Sequence, residues 1–115
     1  MIDFACKRFD VDEIIKCGLS LTKSELNIFY FFVRQDEEEF TSHELSKKLK
    51  LNVTTIQKAV KKLADQKIIY RHQTNLSSGG YIFTYSCTPK RNIRIILKGV
   101  IKSWSQKVES SIDMW

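Results

Sequence analysis

Apolar positions recur along this chain at two periods, and the change of period separates helices from strands. Val11, Ile14, Ile15 and Leu19 follow Asp10 at helical spacing, which predicts a first helix over 10–19, ended by a left-handed residue near Gly18. Thr22 and Glu25 have the hydroxyl-to-carboxylate spacing of a capping box, so a second helix is expected from about Lys23 to Arg34. Its run Ile28 to Val33 is unbrokenly apolar, and a helix with no polar face must be covered on more than one side. The acidic stretch Asp36 to Glu39 then reads as a solvated loop. Thr41 and Glu44 repeat the capping pattern and open a third, short helix that buries Leu45 and Leu49.

Asn52 is placed to cap a fourth helix, in which Val53, Ile56, Val60 and Leu63 form one apolar stripe. Thr54, Thr55, Gln57, Lys58, Lys61 and Lys62 occupy the other side. Residues 42–66 thus read as helix, tight turn, helix. Beyond them the period drops to two. Ile68 to Thr74 and Tyr81 to Cys87 are β-branched and aromatic runs separated by Asn75-Leu76-Ser77-Ser78-Gly79-Gly80, the pattern of an antiparallel hairpin. Pro89 suits the first turn of a last helix over 89–115, whose apolar positions Ile93, Leu97, Val100, Trp104, Val108, Ile112 and Trp115 keep a spacing of three or four.

Three core helices followed by a β-hairpin define a winged helix-turn-helix, an α+β fold that is mainly α. An N-terminal helix (10–19) precedes the winged part (22–87), and the long helix (89–115) follows it. The chain has 115 residues, 43% apolar and 28% charged, which suits one domain over 1–115 with a single core. No apolar run approaches the roughly 18 residues that span a bilayer, and Asp3, Lys7, Arg8 and Asp10 interrupt any apolar leader, so a cytoplasmic protein without membrane contact is expected. Cys6, Cys17 and Cys87 are odd in number and widely spaced. They predict partly buried thiols, with neither a disulfide framework nor a zinc site.

Charge adds a direction. Residues 1–40 hold five basic side chains against nine acidic ones, a net of −4, whereas residues 41–115 hold fourteen against four, a net of +10. A one-sided positive field attracts phosphate, which makes nucleic acid the leading partner.

The segments LTKSELNIFYFFV (21–33), FTSHELSKKLKLNVTTIQKAVKKLADQKIIYR (40–71) and GGYIFTYSCTP (79–89), followed by a long amphipathic helix, resemble archaeal MarR/TrmB-like transcriptional regulators over almost the whole length. The resemblance implies a homodimeric DNA-binding regulator whose terminal helices form the dimer and whose second motif helix enters the major groove.

The residues themselves lead the same way. Thr54, Thr55, Gln57 and Lys58 lie in the first turns of the fourth helix and are of the kinds that read base edges or the thymine methyl. Lys61 and Lys62 continue that face toward phosphates, which position a protein without reading sequence. Ser42, His43 and Lys47 at the preceding helix, Arg71 at the base of the hairpin, and Lys90 and Arg91 before the last helix are further phosphate candidates. The hairpin tip is neutral, a departure from the basic tip common in that family.

A helix of about 36 Å overreaches a small domain, so the stripe from Ile93 to Trp115 is assigned to a dimer interface, and a pseudo-palindromic site on double-stranded DNA follows. The competing reading is a winged-helix adaptor in a transcription or replication complex, whose sign would be an exposed Phe31/Phe32 or Trp115 patch. No catalytic set, phosphate loop or metal spacing stands out, so neither an enzyme nor a cofactor is expected, and no effector is named. RNA is disfavoured because Tyr81, Phe83 and Tyr85 alternate as a buried strand face would.

Overall fold

A computed structural model describes residues 1–35 and 38–115. The acidic loop expected at 36–39 therefore lies partly outside the described residues, and its described part, Glu38 and Glu39, is exposed. The elements run β1 (Ile2–Phe4), β2 (Lys7–Phe9), α1 (Val11–Gly18), α2 (Lys23–Arg34), α3 (Ser42–Leu49), α4 (Val53–Asp65), β3 (Ile69–Asn75), β4 (Tyr81–Cys87) and α5 (Lys90–Asp113). The fold is a winged helix-turn-helix, mainly helical, with two small antiparallel sheets.

Local chemistry fixes most of these boundaries. Thr22 and Glu25 form the full reciprocal capping box of α2, and Thr41 and Glu44 do the same for α3. The Asn52 side chain accepts the Thr54 amide at 2.8 Å and starts α4. Each such cap satisfies amides that the first turn of a helix leaves without partners.

Helix ends depart from expectation. The left-handed residue after α1 is Ser20 (φ 56°), not Gly18. Leu21 N–H bonds to the Lys16 carbonyl and Ser20 N–H to that of Cys17, the paired bonds of a Schellman end. Gly18 has a different use: a β-carbon there would stand 3.1 Å from Cγ1 of Val100, so the missing side chain lets α1 close onto α5. The α4 end repeats the device with Lys67 (φ 66°), where Ile68 N–H bonds to the Leu63 carbonyl.

The core lies under the helix-turn-helix. Leu19, Ile28, Phe32, Leu45, Ile56, Val60, Leu63, Ile68 and Ile69 are essentially inaccessible. Phe31, Phe32 and Phe40 pack edge to face, with ring centroids 5.1 to 6.3 Å apart. α2 contacts both α4 and β4, as a helix with little polar surface requires.

The wing pairs Ile69 with Cys87 through Asn75 with Tyr81, and Phe40 adds a bridge to Tyr85 through N–H···O bonds of 2.9 and 2.8 Å. Gly79 and Gly80 both take positive φ at the tip, where a side chain would strain the turn. The inward strand face is graded rather than buried throughout: Tyr85 is buried, Phe83 half-buried and Tyr81 exposed, because the wing extends beyond the core.

The N-terminal β1–β2 hairpin was not expected from the sequence. Its pairing runs Ile2 to Phe9, Asp3 to Arg8 and Phe4 to Lys7, with Ala5 at φ 51° in the turn. Cys6 and Cys17 are exposed rather than partly buried, and Cys87 is half-buried. Among the described residues no helix is long and apolar enough to cross a membrane, and no cluster of His, Cys, Asp or Glu could hold a metal ion.

Candidate nucleic-acid interface

The apolar stripe of α4 turns into the core through Ile56, Ala59, Val60 and Leu63, and this fixes what the opposite side presents. Thr54, Gln57, Lys58 and Lys61 are exposed there. Thr55 is half-buried on the flank it shares with Lys62 and gives less of its surface to solvent than the sequence reading assumed.

Lys58 and Lys61 carry the electrostatics of this face. Among the described residues, no carboxylate lies within ion-pair distance of either. An unpaired ammonium on a helix face keeps its full charge for an external anion.

Lys62 is the correction. Its sequence position on the polar face points to phosphate, but its Nζ donates to Glu25 Oε1 at 2.8 Å and to the Ser20 carbonyl at 3.0 Å. Glu25 is 7% exposed, and the same carboxylate oxygen accepts the Thr22 amide at 2.8 Å. Burial pushes the Glu25 carboxyl up, but the hydrogen bonds from Lys62 and Thr22, with the ammonium charge, outweigh it and hold the pKa below its ordinary value. Stability from a carboxylate lowered in this way is present above its unfolded pKa and lost as pH falls through the folded one. Glu25→Gln should therefore cost about 1–2 kcal/mol at pH 7 in urea unfolding, a gap that closes once the pH is below the carboxylate range. A gap unchanged with pH would show that the charge does not matter.

The other candidates sit on elements bordering α4. Ser42 is half-buried, and His43 and Lys47 are exposed on α3, which packs directly against α4. Lys48 lies over the Phe40 ring at 5.9 Å. Arg71 is exposed on β3 with its guanidinium 4.5 Å from the Phe83 centroid, an arrangement that orients the group without neutralising it. His72 meets Ser86 Oγ at 3.0 Å and Glu39 at 3.6 Å. Lys90 and Arg91 are exposed in the first turn of α5, where the helix dipole disfavours cations and no acidic residue offsets them.

The apolar stripe of α5 divides in two. Ile93, 4% exposed, belongs to the core, and Leu97 and Val100 are half-buried, with Val100 against Gly18. The stripe assigns Ile93 to the dimer interface, but its own domain already covers it. Trp104, Val108, Ile112 and Trp115 are exposed. Of the apolar patches named as signs of an adaptor, Phe32 is buried and Phe31 half-buried, whereas Trp115 is exposed.

The model of the DnaD N-terminal domain matches residues 11–108. The chain belongs to the DnaD N-terminal domain family. This is a different family from the MarR/TrmB-like regulators that its sequence resembles. A possible transcriptional regulator from Methanosarcina mazei Go1 is 42% identical, with a TM-score of 0.92 over 100% of this chain and 96% of that one. This DnaD-family chain is also 18% identical to the uncharacterized protein MJ1503 of Methanocaldococcus jannaschii, over 94% of the chain and 80% of that protein. At the level of fold alone it is similar to MepR in the S. aureus MepR–DNA complex: 13% identity, TM-score 0.56, 90% of this chain and 82% of that one.

Proposed function

We propose that this DnaD-family chain is a transcriptional regulator that binds double-stranded DNA as a homodimer, with α4 in the major groove and α5 as the dimer seam. The observation that carries the reading is the free side of α4: exposed Thr54 and Gln57 beside Lys58 and Lys61, two cations without ion-pair partners among the described residues. A major groove about 12 Å wide admits one helix, and side chains on its first turns reach base edges. The description of the M. mazei relative as a possible transcriptional regulator supports the regulatory role, and MepR, a protein of similar fold in complex with DNA, supports DNA as the partner.

Roles follow from placement. Thr54, Gln57 and Lys58 are the base readers, with Thr55 at the margin of the contact. Lys61, His43, Lys47, Arg71, Lys90 and Arg91 meet phosphates, and Ser42 presents its amide at the start of α3. Two copies of α4 set about 34 Å apart would address successive major grooves on one face of the duplex, which calls for a pseudo-palindromic site. The whole chain acts as one winged-helix domain in the cytoplasm, without cofactor or catalysis.

The test is duplex binding by fluorescence anisotropy as salt is varied. Log affinity should fall linearly with log salt, by about 0.9 per phosphate contact. Gln57→Ala should reduce discrimination among sites selected from a random pool, by roughly 1–3 kcal/mol at one position, more than it reduces affinity for bulk DNA. Absence of duplex binding, or an affinity indifferent to salt, would overturn the reading and favour a protein adaptor working through the Trp115 end of α5.

A further inference from the structure

The last turn of α4 and Gln66, the residue that caps it, send side-chain hydrogen bonds away from the proposed DNA face, into the junction of α1 and α2. Lys62 Nζ reaches Glu25 Oε1 at 2.8 Å and the Ser20 carbonyl at 3.0 Å, and Gln66 Nε2 reaches the Leu19 carbonyl at 3.0 Å. Leu19 is 1% exposed and Glu25 7%, so the bonds to these two end on groups that water does not readily serve and a lost partner there leaves a desolvated acceptor, whereas the Ser20 end is exposed. The receiving segment is itself hydrogen-bonded at both ends. Ser20 is held in the left-handed region by the Schellman end of α1, and Thr22 by the capping box of α2.

That segment continues directly into α1, which packs on α5 with Gly18 against Val100. The Tyr30 hydroxyl, on α2, donates to the Asp12 carboxylate and ties α2 to the N-terminal end of α1. A chain of close contacts therefore runs from α5 through α1 and residues 19–22 to the C-terminal half of α4.

We propose that Lys62, Gln66 and Glu25 form a clamp that sets the angle of α4 against the α1–α5 layer, and so the distance and twist between the two recognition helices of a dimer. This rests on the reading of α4 as the recognition helix and α5 as the seam, and gives Lys62 and Gln66 a positioning role. With the clamp intact, α4 follows the seam as a rigid extension. Without it, α4 stays folded on its apolar stripe but pivots.

The consequence is a preference in half-site spacing. Inserting one base pair between half-sites turns them by about a tenth of a helical turn, which a rigid pair of α4 helices does not follow. On duplexes with half-site spacing stepped one base pair at a time, the wild type should favour one spacing over its neighbours by at least tenfold. K62M/Q66M should lose most of that preference, to threefold or less, and K62R with Gln66 retained should keep it. Q66M alone, which leaves no unpaired buried charge, should fall between them and serves if the double variant is unstable. Amide hydrogen exchange reads the clamp without DNA: Q66M should speed exchange at least tenfold in both 19–22 and 62–68, leaving α3 and the wing unchanged.

Spacing preference retained in the folded variants overturns the inference. So does a K62M salt slope lower by about two units, 0.9 for each subunit, with spacing preference intact, because Lys62 would then be a phosphate contact. Unchanged exchange at 62–68 overturns the clamp whether or not DNA is bound. A wild type that binds no duplex overturns the proposed function instead, and the exchange result still decides the clamp.

Discussion

Lys58→Glu/Lys61→Glu is expected to lower duplex affinity by roughly 10³–10⁴-fold at 0.1 M salt without unfolding the protein. Each Lys61 on a phosphate contributes about 0.9 log unit at that salt through counterion release, each Lys58 on a base edge contributes roughly 1–3 kcal/mol, and a dimer loses the pair from both subunits. The reversed charges add repulsion, so the estimate is a lower bound. Stability should change little, because both side chains are exposed and neither is in an ion pair among the described residues. Substitutions at such sites usually stay within about 0.5 kcal/mol. The check is anisotropy titration at several salt concentrations beside a thermal melt. A folded variant with wild-type affinity would remove α4 from the interface, and a loss of affinity without a change in salt slope would mean that Lys61 acts on something other than phosphate.

The contrast between Lys58, Lys61 and Lys62 shows what the sequence made legible. All three read as one polar face, because the apolar stripe from Val53 to Leu63 determines which side of α4 is buried. That inference is local, and it placed Lys58 and Lys61 correctly in solvent. Lys62 sits at the edge of the stripe, and its destination depends on a partner 37 residues earlier. Glu25 was legible as a capping residue for α2, but the same carboxylate oxygen takes Lys62 as well, and only the packing of α2 on α4 discloses that. Hydroxyl-to-carboxylate spacing found both capping boxes for a related reason: all the atoms involved lie within one turn.

What stayed hidden follows from the same distinction. The β1–β2 hairpin is three residues per strand and turns through Ala5 and Cys6, without the Gly or Asn that signals a turn. Its weak alternation of Ile2, Phe4 and Phe9 is hard to separate from background at that length. Gly18 reads as a helix terminator because glycine most often serves there, yet the structure uses it as clearance for Val100, 82 residues away in sequence and adjacent in space. Tyr81 shares the pattern of a buried face but lies past the end of the core, and periodicity marks a side without marking how far the cover extends.

Trp104→Glu is expected to yield a folded monomer. The proximal stripe of α5 is already covered: Ile93 is 4% exposed, and Leu97 and Val100 lean on α1. The distal stripe is not, with Trp104 63% and Ile112 61% exposed and Trp115 wholly so. The molecule measures 62 × 25 × 24 Å, so its long axis has no counterpart in the compact core that could shield this end. Burying Trp104, Val108, Ile112 and Trp115 at about 1.5–3 kcal/mol each yields roughly 6–12 kcal/mol per chain, or twice that for a symmetric pair, against an association cost of about 4–15 kcal/mol. N-terminal to this stripe, between α1 and the proximal part of α5, an apolar groove of about 130 Å³ lined by Ile2, Val11, Val100 and Ile101 can take part of a partner's side chain. A carboxylate at position 104 removes one of the two aromatic anchors and would bring an unpaired charge into the seam of each subunit, which costs several kcal/mol and should weaken the dimer by at least 10³-fold. Light scattering at micromolar concentration, with circular dichroism as the control for folding, reads the outcome. A dimer that survives the substitution would place its seam elsewhere, and a wild type that is already monomeric would mean that another protein covers the distal half of α5.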